Sequence, residues 1–172
     1  MKKVLNLILF CLLSFLQVQG AASEQVEKFS EAELEEIGQH FQAIYDNDGY
    51  GIWKFLSVPN EFVEKFVDLK AEEGETLLIL ASQIGNAKVV SKLLEAKADI
   101  NCQDNEGYTA LMIASFKGYS DIVGLLLEDK RIKVDIQTPE EFTARSLALM
   151  YRFEHIASML DKSSPCMIKA RA

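Results

Sequence analysis

The strongest constraint on this chain is that it repeats itself. Setting Gly74-Glu75-Thr76 beside Gly107-Tyr108-Thr109 brings Ala81 onto Ala114, Gly85 onto Gly118, Val90 onto Val123 and Leu93-Leu94 onto Leu126-Leu127, each at an offset of 33. The match continues at 34, with Thr109 on Thr143, Ala114 on Ala148, Ile122 on Ile156 and Leu126 on Leu160. The extra residue falls between Asp129 and Lys133, where a surface connection absorbs an insertion at little cost. A fixed period of this length implies a stack of small units, none of which can bury its apolar face alone.

Within a unit the spacing is helical. Val89, Val90, Leu93 and Leu94 recur at i, i+1, i+4 and i+5, an apolar stripe along one side of a helix. Gly85 and Gly118 fall where one helix must stop and the chain turn back, a position that favours a residue tolerant of positive φ. The array is expected to be all-α and to fold as one cooperative unit.

The Gly-x-Thr openings, the small Ala, the mid-repeat Gly, the Val-Val-x-x-Leu-Leu stretch, Ala98-Asp99-Ile100-Asn101 and Asp104-Asn105-Glu106-Gly107 together resemble the ankyrin repeat family. The resemblance covers residues 72 to 161. It implies a solenoid of stacked antiparallel helix pairs joined by projecting β-turn fingers, about three repeats behind a helical N-terminal cap. The expected divisions are a helical cap or degenerate first repeat over 23–71, repeats over 72–104 and 105–138, a capping repeat over 139–162, and a flexible tail over 163–172.

The departures are as informative as the matches. The family's Thr-Pro-Leu-His opening reads Thr76-Leu77-Leu78-Ile79, Thr109-Ala110-Leu111-Met112 and Thr143-Ala144-Arg145-Ser146. Without Pro to preset the first turn, the helix starts are expected to be less secure. The third unit also has Arg145 for a core Leu, Arg152 for the Gly and Asp161 for the second Leu. These polar residues suit a last unit with one solvated face.

Upstream, Val63 to Lys70 resembles Val90 to Lys97, which leaves no room for a full finger before Gly74. A helix is expected over about Glu31 to Tyr45, with Ser30 as N-cap and Glu33 at the capping-box position. Trp53 and Phe55 are expected to cover the open end of the core.

The N-terminus reads as an export signal. Met1-Lys2-Lys3 precedes an apolar run from Val4 to Leu16 and the small residues Gly20-Ala21-Ala22, so residues 1–22 are expected to be a signal peptide cleaved near Ala22. The run is shorter than the roughly 20 apolar residues of a membrane span, and no membrane association is expected after cleavage. Cys11 lies inside the apolar stretch behind bulky Phe10, which disfavours lipidation. A periplasmic or secreted location follows. The whole chain has a formal charge of −8; losing Lys2 and Lys3 leaves 16 basic residues against 26 acids, or −10. Nucleic-acid binding runs on Lys and Arg releasing phosphate counterions, and this balance opposes it.

No catalytic constellation stands out. Asp46-Asn47-Asp48-Gly49-Tyr50-Gly51 has acids and a Gly at calcium-loop positions, but Lys54 and Ser57 stand where that loop needs ligands, so a turn between helices is the expected reading. His40 and His155 belong to no metal or nucleophile motif and are expected to cover helix faces. Neither cofactor nor metal is expected. Cys102 and Cys166 would enter an oxidising compartment. Yet Cys102 sits on the first finger, about two layers of roughly 10 Å from the end of the third unit, and the tail to Cys166 reaches about 13 Å. A Cys102–Cys166 bridge, which needs Cα atoms within about 7 Å, is disfavoured against two free thiols.

The family resemblance implies where a protein partner would bind: finger tips and exposed inner-helix positions. By register these are Glu72, Glu73, Glu75, Gln83 and Ile84; then Asn105, Glu106, Tyr108, Phe116 and Lys117; then Pro139, Glu140, Phe142, Met150 and Tyr151. Tyr108, Phe116, Phe142 and Tyr151 would align as the kind of aromatic strip that interface hot spots use; the other reading makes the third unit's rings cap packing. The expected function is an exported, non-catalytic, monomeric module that binds another protein as adaptor, inhibitor or stabiliser. Alternatives are a secreted factor binding a host or competitor protein, and, more remotely, an enzyme with its site in residues 24–71.

Overall fold

The computed structural model describes residues 29–71 and 73–163. The expected signal peptide, Glu72, Cys166 and the expected tail beyond Ser163 lie outside these residues. Nine helices and no strand occur among the described residues: α1 (Glu31–Tyr45), α2 (Gly49–Leu56), α3 (Asn60–Val63), α4 (Leu77–Ile84), α5 (Ala87–Glu95), α6 (Ala110–Lys117), α7 (Ser120–Glu128), α8 (Ala144–Met150) and α9 (Glu154–Ser163). None of them is long and apolar enough to cross a membrane.

The helices form an inner row, α1, α4, α6 and α8, each packed on the next, and an outer row in which α5, α7 and α9 follow α2. One apolar core runs through the stack, with Phe55, Phe66, Leu77, Leu93, Leu111, Leu126 and Ile156 among its buried members. The repeat is thus an all-α solenoid, as its period requires.

Threonine secures the helix starts that lack proline. Thr76, Thr109 and Thr143 have extended backbones, and their hydroxyls accept from the amides of Ile79, Met112 and Ser146. Each satisfies one orphan N–H of the first turn, a contribution of about 1 kcal/mol. At the third start Ser146 reciprocates, its hydroxyl accepting from the Thr143 amide at 2.8 Å. The expected capping box of α1 is also present, with Ser30 N–H donating to Glu33 Oε2 at 2.9 Å.

Inner helices end in a left-handed residue one position before the outer helix N-cap: Gly85 at φ 83° and Gly118 at φ 81°. Arg152 keeps that conformation at φ 64° without being glycine, and Glu141 does the same at φ 66° where the earlier fingers have Gly74 and Gly107. A side chain in this region costs about 1–2 kcal/mol, so packing rather than local preference holds the third unit in register. Arg152→Gly is expected to stabilise the fold by about 1 kcal/mol, net of the entropy glycine adds to the unfolded chain. A thermal melt should show a gain of about 2–4 °C.

The third unit's polar substitutions are paired. Leu78 and Leu111 are buried, but Arg145 at their register position is exposed; its guanidinium donates to the carboxylate of Asp161, 16 residues on. The pair joins the exposed sides of α8 and α9.

The first layer differs from the sequence expectation. Residues 64 to 70 do not form an outer helix matching Val90 to Lys97; they occupy the connecting loop at an offset of 33. Asp68 Oδ1 accepts the Asp99 amide at 2.7 Å, as Asn101 Oδ1 accepts the Lys133 amide at 2.8 Å. The finger is complete, with the Ala71 amide donating to Glu75 O and Gly74 to Ala71 O. Asn47, left-handed at φ 50°, corresponds to Gly85 at an offset of 38, so the first layer holds five extra residues, which include α3. Phe55 closes the core, fully buried, but Trp53 does not, being 63% exposed. His40 is not a surface residue either: it is 1% exposed, between Phe55 and Phe66 at ring-centroid distances of 5.3 and 6.2 Å.

Candidate interaction surface

The fingers share one hydrogen-bond frame. In the second, the Asp104 amide donates to Tyr108 O and Gly107 to Asp104 O; in the third, Thr138 donates to Phe142 O and Glu141 to Thr138 O. Asp104 Oδ1 also accepts the Glu106 and Tyr108 amides at 3.0 and 2.8 Å, and an isolated bridge between Gln103 and Thr109 closes the finger base. Adjacent fingers are tied by the Asn105 amide to Glu73 O and by Gln103 Nε2 to Gly107 O and Gln137 O. The finger row is therefore a braced edge that holds its outward side chains at fixed spacing.

That edge is acidic. Glu73, Glu106 and Glu140 are exposed. Half-buried Glu75 has its carboxyl held above the ordinary range, first by burial and then by Glu73, Asp104 and Glu106. The Tyr108 hydroxyl is raised as well, by burial and by Glu140, Glu106, Asp104 and Tyr151. Residues from successive fingers and from α8's end thus act on one tyrosine.

Next to this edge, the C-terminal ends of the inner helices carry apolar surface. Phe116 and Tyr151, from neighbouring layers, meet edge to face with centroids 4.5 Å apart and planes at 86°. Lys117 Nζ stands 5.4 Å over the Phe116 ring. Met150 and Tyr151 are 55% and 48% exposed, and Leu149 is exposed beside them. Phe116, Tyr108 and Phe142 are half-buried against the core, so these rings have both a structural side and a solvent side. Gln83 is exposed and Ile84 half-buried one layer earlier, outside the ring pair.

A family comparison matches residues 41–139 to ankyrin repeats (3 copies). The chain belongs to the ankyrin-repeat family. This match starts inside α1, ahead of the region where the sequence period is plain, and ends on the third finger. Comparison with curated proteins finds no match. Ankyrin repeats are protein-binding modules, and the chain is one by its family.

The ankyrin register adds a residue that sequence spacing missed. Counting back from the left-handed turn, Tyr45 holds the inner-helix position of Gln83, Phe116 and Met150, and it is 66% exposed. Tyr50 and Trp53, with centroids 6.2 Å apart, extend this N-terminal aromatic cluster. The signal was Asn47, one of the few non-glycine residues that tolerate positive φ, but the offset of 38 hid it from a search at 33.

The other candidates for chemistry have ordinary roles. Asp48 Oδ2 accepts the Gly51 amide at 2.7 Å and starts α2, and Asp46 accepts from Gln42 Nε2 at 2.7 Å. No group of three or more His, Cys, Asp or Glu side chains among the described residues could hold a metal ion. Cys102 is a half-buried free thiol, raised above its usual pKa by burial, with Lys70 lowering it and Asp99 and Asp68 raising it further, which makes it a poor nucleophile.

Proposed function

We propose that this chain is an exported, non-catalytic module that binds another protein in the periplasm, as an adaptor, inhibitor or stabiliser, after cleavage of its signal peptide near Ala22. The observation that carries the binding part is the edge-to-face Phe116–Tyr151 pair beside exposed Leu149 and Met150. Aromatic and Met side chains presented on a rigid face, rimmed by carboxylates, have the composition of an interface centre within a polar rim. Export rests on Lys2-Lys3, the Val4 to Leu16 run and the small residues that follow.

A photo-crosslinking side chain placed at Tyr151 should capture a protein in cells, while the same group at Lys88, exposed on outer helix α5, should not. Equal capture from both positions would rule out this face. Tyr151→Ser should weaken the interaction about tenfold or more, the scale of one hot-spot ring. Cell fractionation tests the compartment: mature protein recovered from culture fluid alone would replace the periplasmic reading with a secreted factor acting on a foreign protein.

A further inference from the structure

The partner's chemistry can be read from the charge of the finger row. The finger segments 71–76, 103–109 and 137–143 contain Glu72, Glu73, Glu75, Asp104, Glu106, Glu140 and Glu141, and not one Lys or Arg. Asp104 is committed to the backbone of its own finger. Glu73, Glu106 and Glu140 form no ion pair with any described Lys or Arg, although the chain elsewhere pairs its charges, as in Lys97–Glu64, Arg131–Asp129 and Arg145–Asp161. Like charges braced at fixed spacing repel, and the raised carboxyl of Glu75 registers part of that repulsion. An arriving cation relieves it.

Resting on the binding reading above, we propose that the face accepts a cationic segment of another protein that carries an apolar anchor. The anchor's side chain meets Phe116, Met150 and Tyr151, and flanking Lys or Arg residues meet Glu106 and Glu140 of the second and third fingers. The two chemistries are adjacent because Tyr108 feels both finger carboxylates and the Tyr151 hydroxyl. Lys117 Nζ already stands 5.4 Å over the Phe116 ring, so the partner's cations are placed on the carboxylate edge and not on that ring. Opposed charges of this kind steer encounter and select partners, and their effect fades with salt.

Three labelled ten-residue peptides test the idea by fluorescence anisotropy on the mature protein: alternating Arg and Leu, alternating Glu and Leu, and alternating Arg and Ser. The Arg–Leu peptide should bind at least tenfold more tightly than either other, and raising NaCl from 0.1 to 0.5 M should weaken it about tenfold. Glu106→Lys with Glu140→Lys should reduce its binding tenfold or more with an unchanged thermal melt, and Tyr151→Ser should bring it down to the Arg–Ser level. Equal binding of the Arg–Leu and Glu–Leu peptides, or indifference to the charge reversal, would overturn the proposal. So would tighter Arg–Leu binding after removal of residues 164–172, since the chain's own Met167-Ile168-Lys169 would then be the occupant. A native protein crosslinked at Tyr151 through a segment without Lys or Arg overturns this inference and leaves the binding reading intact; no crosslink at all removes both.

Discussion

Replacing Gly118 with alanine is expected to cost about 2–4 kcal/mol. Two effects add. At φ 81° a Cβ brings strain of about 1–2 kcal/mol. The new carbon would also lie 2.5 Å from Cε1 and Cζ of Phe153, whose ring packs over the glycine from the next layer. Forcing such a ring aside costs about 1–3 kcal/mol. Phe153 directly precedes α9, and its amide donates to Ala148 O at 2.8 Å, so displacing it loosens the last helix pair. Against a typical total of 5–15 kcal/mol, a melting temperature lower by on the order of 10 °C is expected. Gly38→Ala is the matched control. Gly38 lies inside α1, where a Cβ meets nothing within 4 Å, and alanine there should stabilise by about 0.5–1 kcal/mol. Similar melts for the two variants would refute the account of Gly118.

What the sequence showed of this architecture was what lies within one period. Gly85 and Gly118 declared their turns because few residues tolerate that backbone, and Ser30 with Glu33 declared the start of α1 because the capping box is a local pattern. Without proline the helix starts read as insecure, and in the sequence Thr76, Thr109 and Thr143 stand out only as repeat markers; as N-caps they supply the order that proline would have given. Val63 to Lys70 misled because its apolar spacing is helical while its place in the stack is a loop. Period alone cannot tell those apart: the deciding contact, Asp68 to the Asp99 amide, crosses between layers.

The candidate surface was legible in the same partial way. Register placed Tyr108 and Phe116 on one layer and Tyr151 on the next, and the structure brings Phe116 against Tyr151. Arg145 and Asp161 read as two separate polar intrusions because nothing in a linear pattern says that positions 16 apart on antiparallel helices meet. Tyr45 was missed because the five extra residues of the first layer break the period before it is reached.

His40, expected from the sequence to cover a helix face, is instead buried, and it is expected to make the fold acid-sensitive. Its imidazole is buried between Phe55 and Phe66, and Nε2 has no hydrogen-bond partner, with the nearest charge, Glu36 Oε1, 3.8 Å away. Burial lowers its pKa below the usual 6.5; Glu36 pulls it up in part, and Lys54 pushes it down. The unfolded chain therefore takes up a proton near pH 6.5 that the folded chain refuses. Stability is full above that pH and falls as pH drops from about 6.5 towards the folded value, by at most about 1.4 kcal/mol per pH unit. Glu75, whose carboxyl is raised, works in the opposite direction at lower pH, so the difference between variants isolates the histidine. His40→Leu keeps an apolar side chain of similar size between the rings and removes both the proton and the unpaired nitrogen. Urea midpoints at pH 7.5, 6.5 and 5.5 should fall for the natural chain and stay nearly level for His40→Leu. Parallel declines in the two proteins would show that the acid sensitivity lies elsewhere. Because α1 is the first of the stacked inner helices and a stacked array shares its stability between neighbours, protonating this one ring should loosen the stack from its N-terminal end.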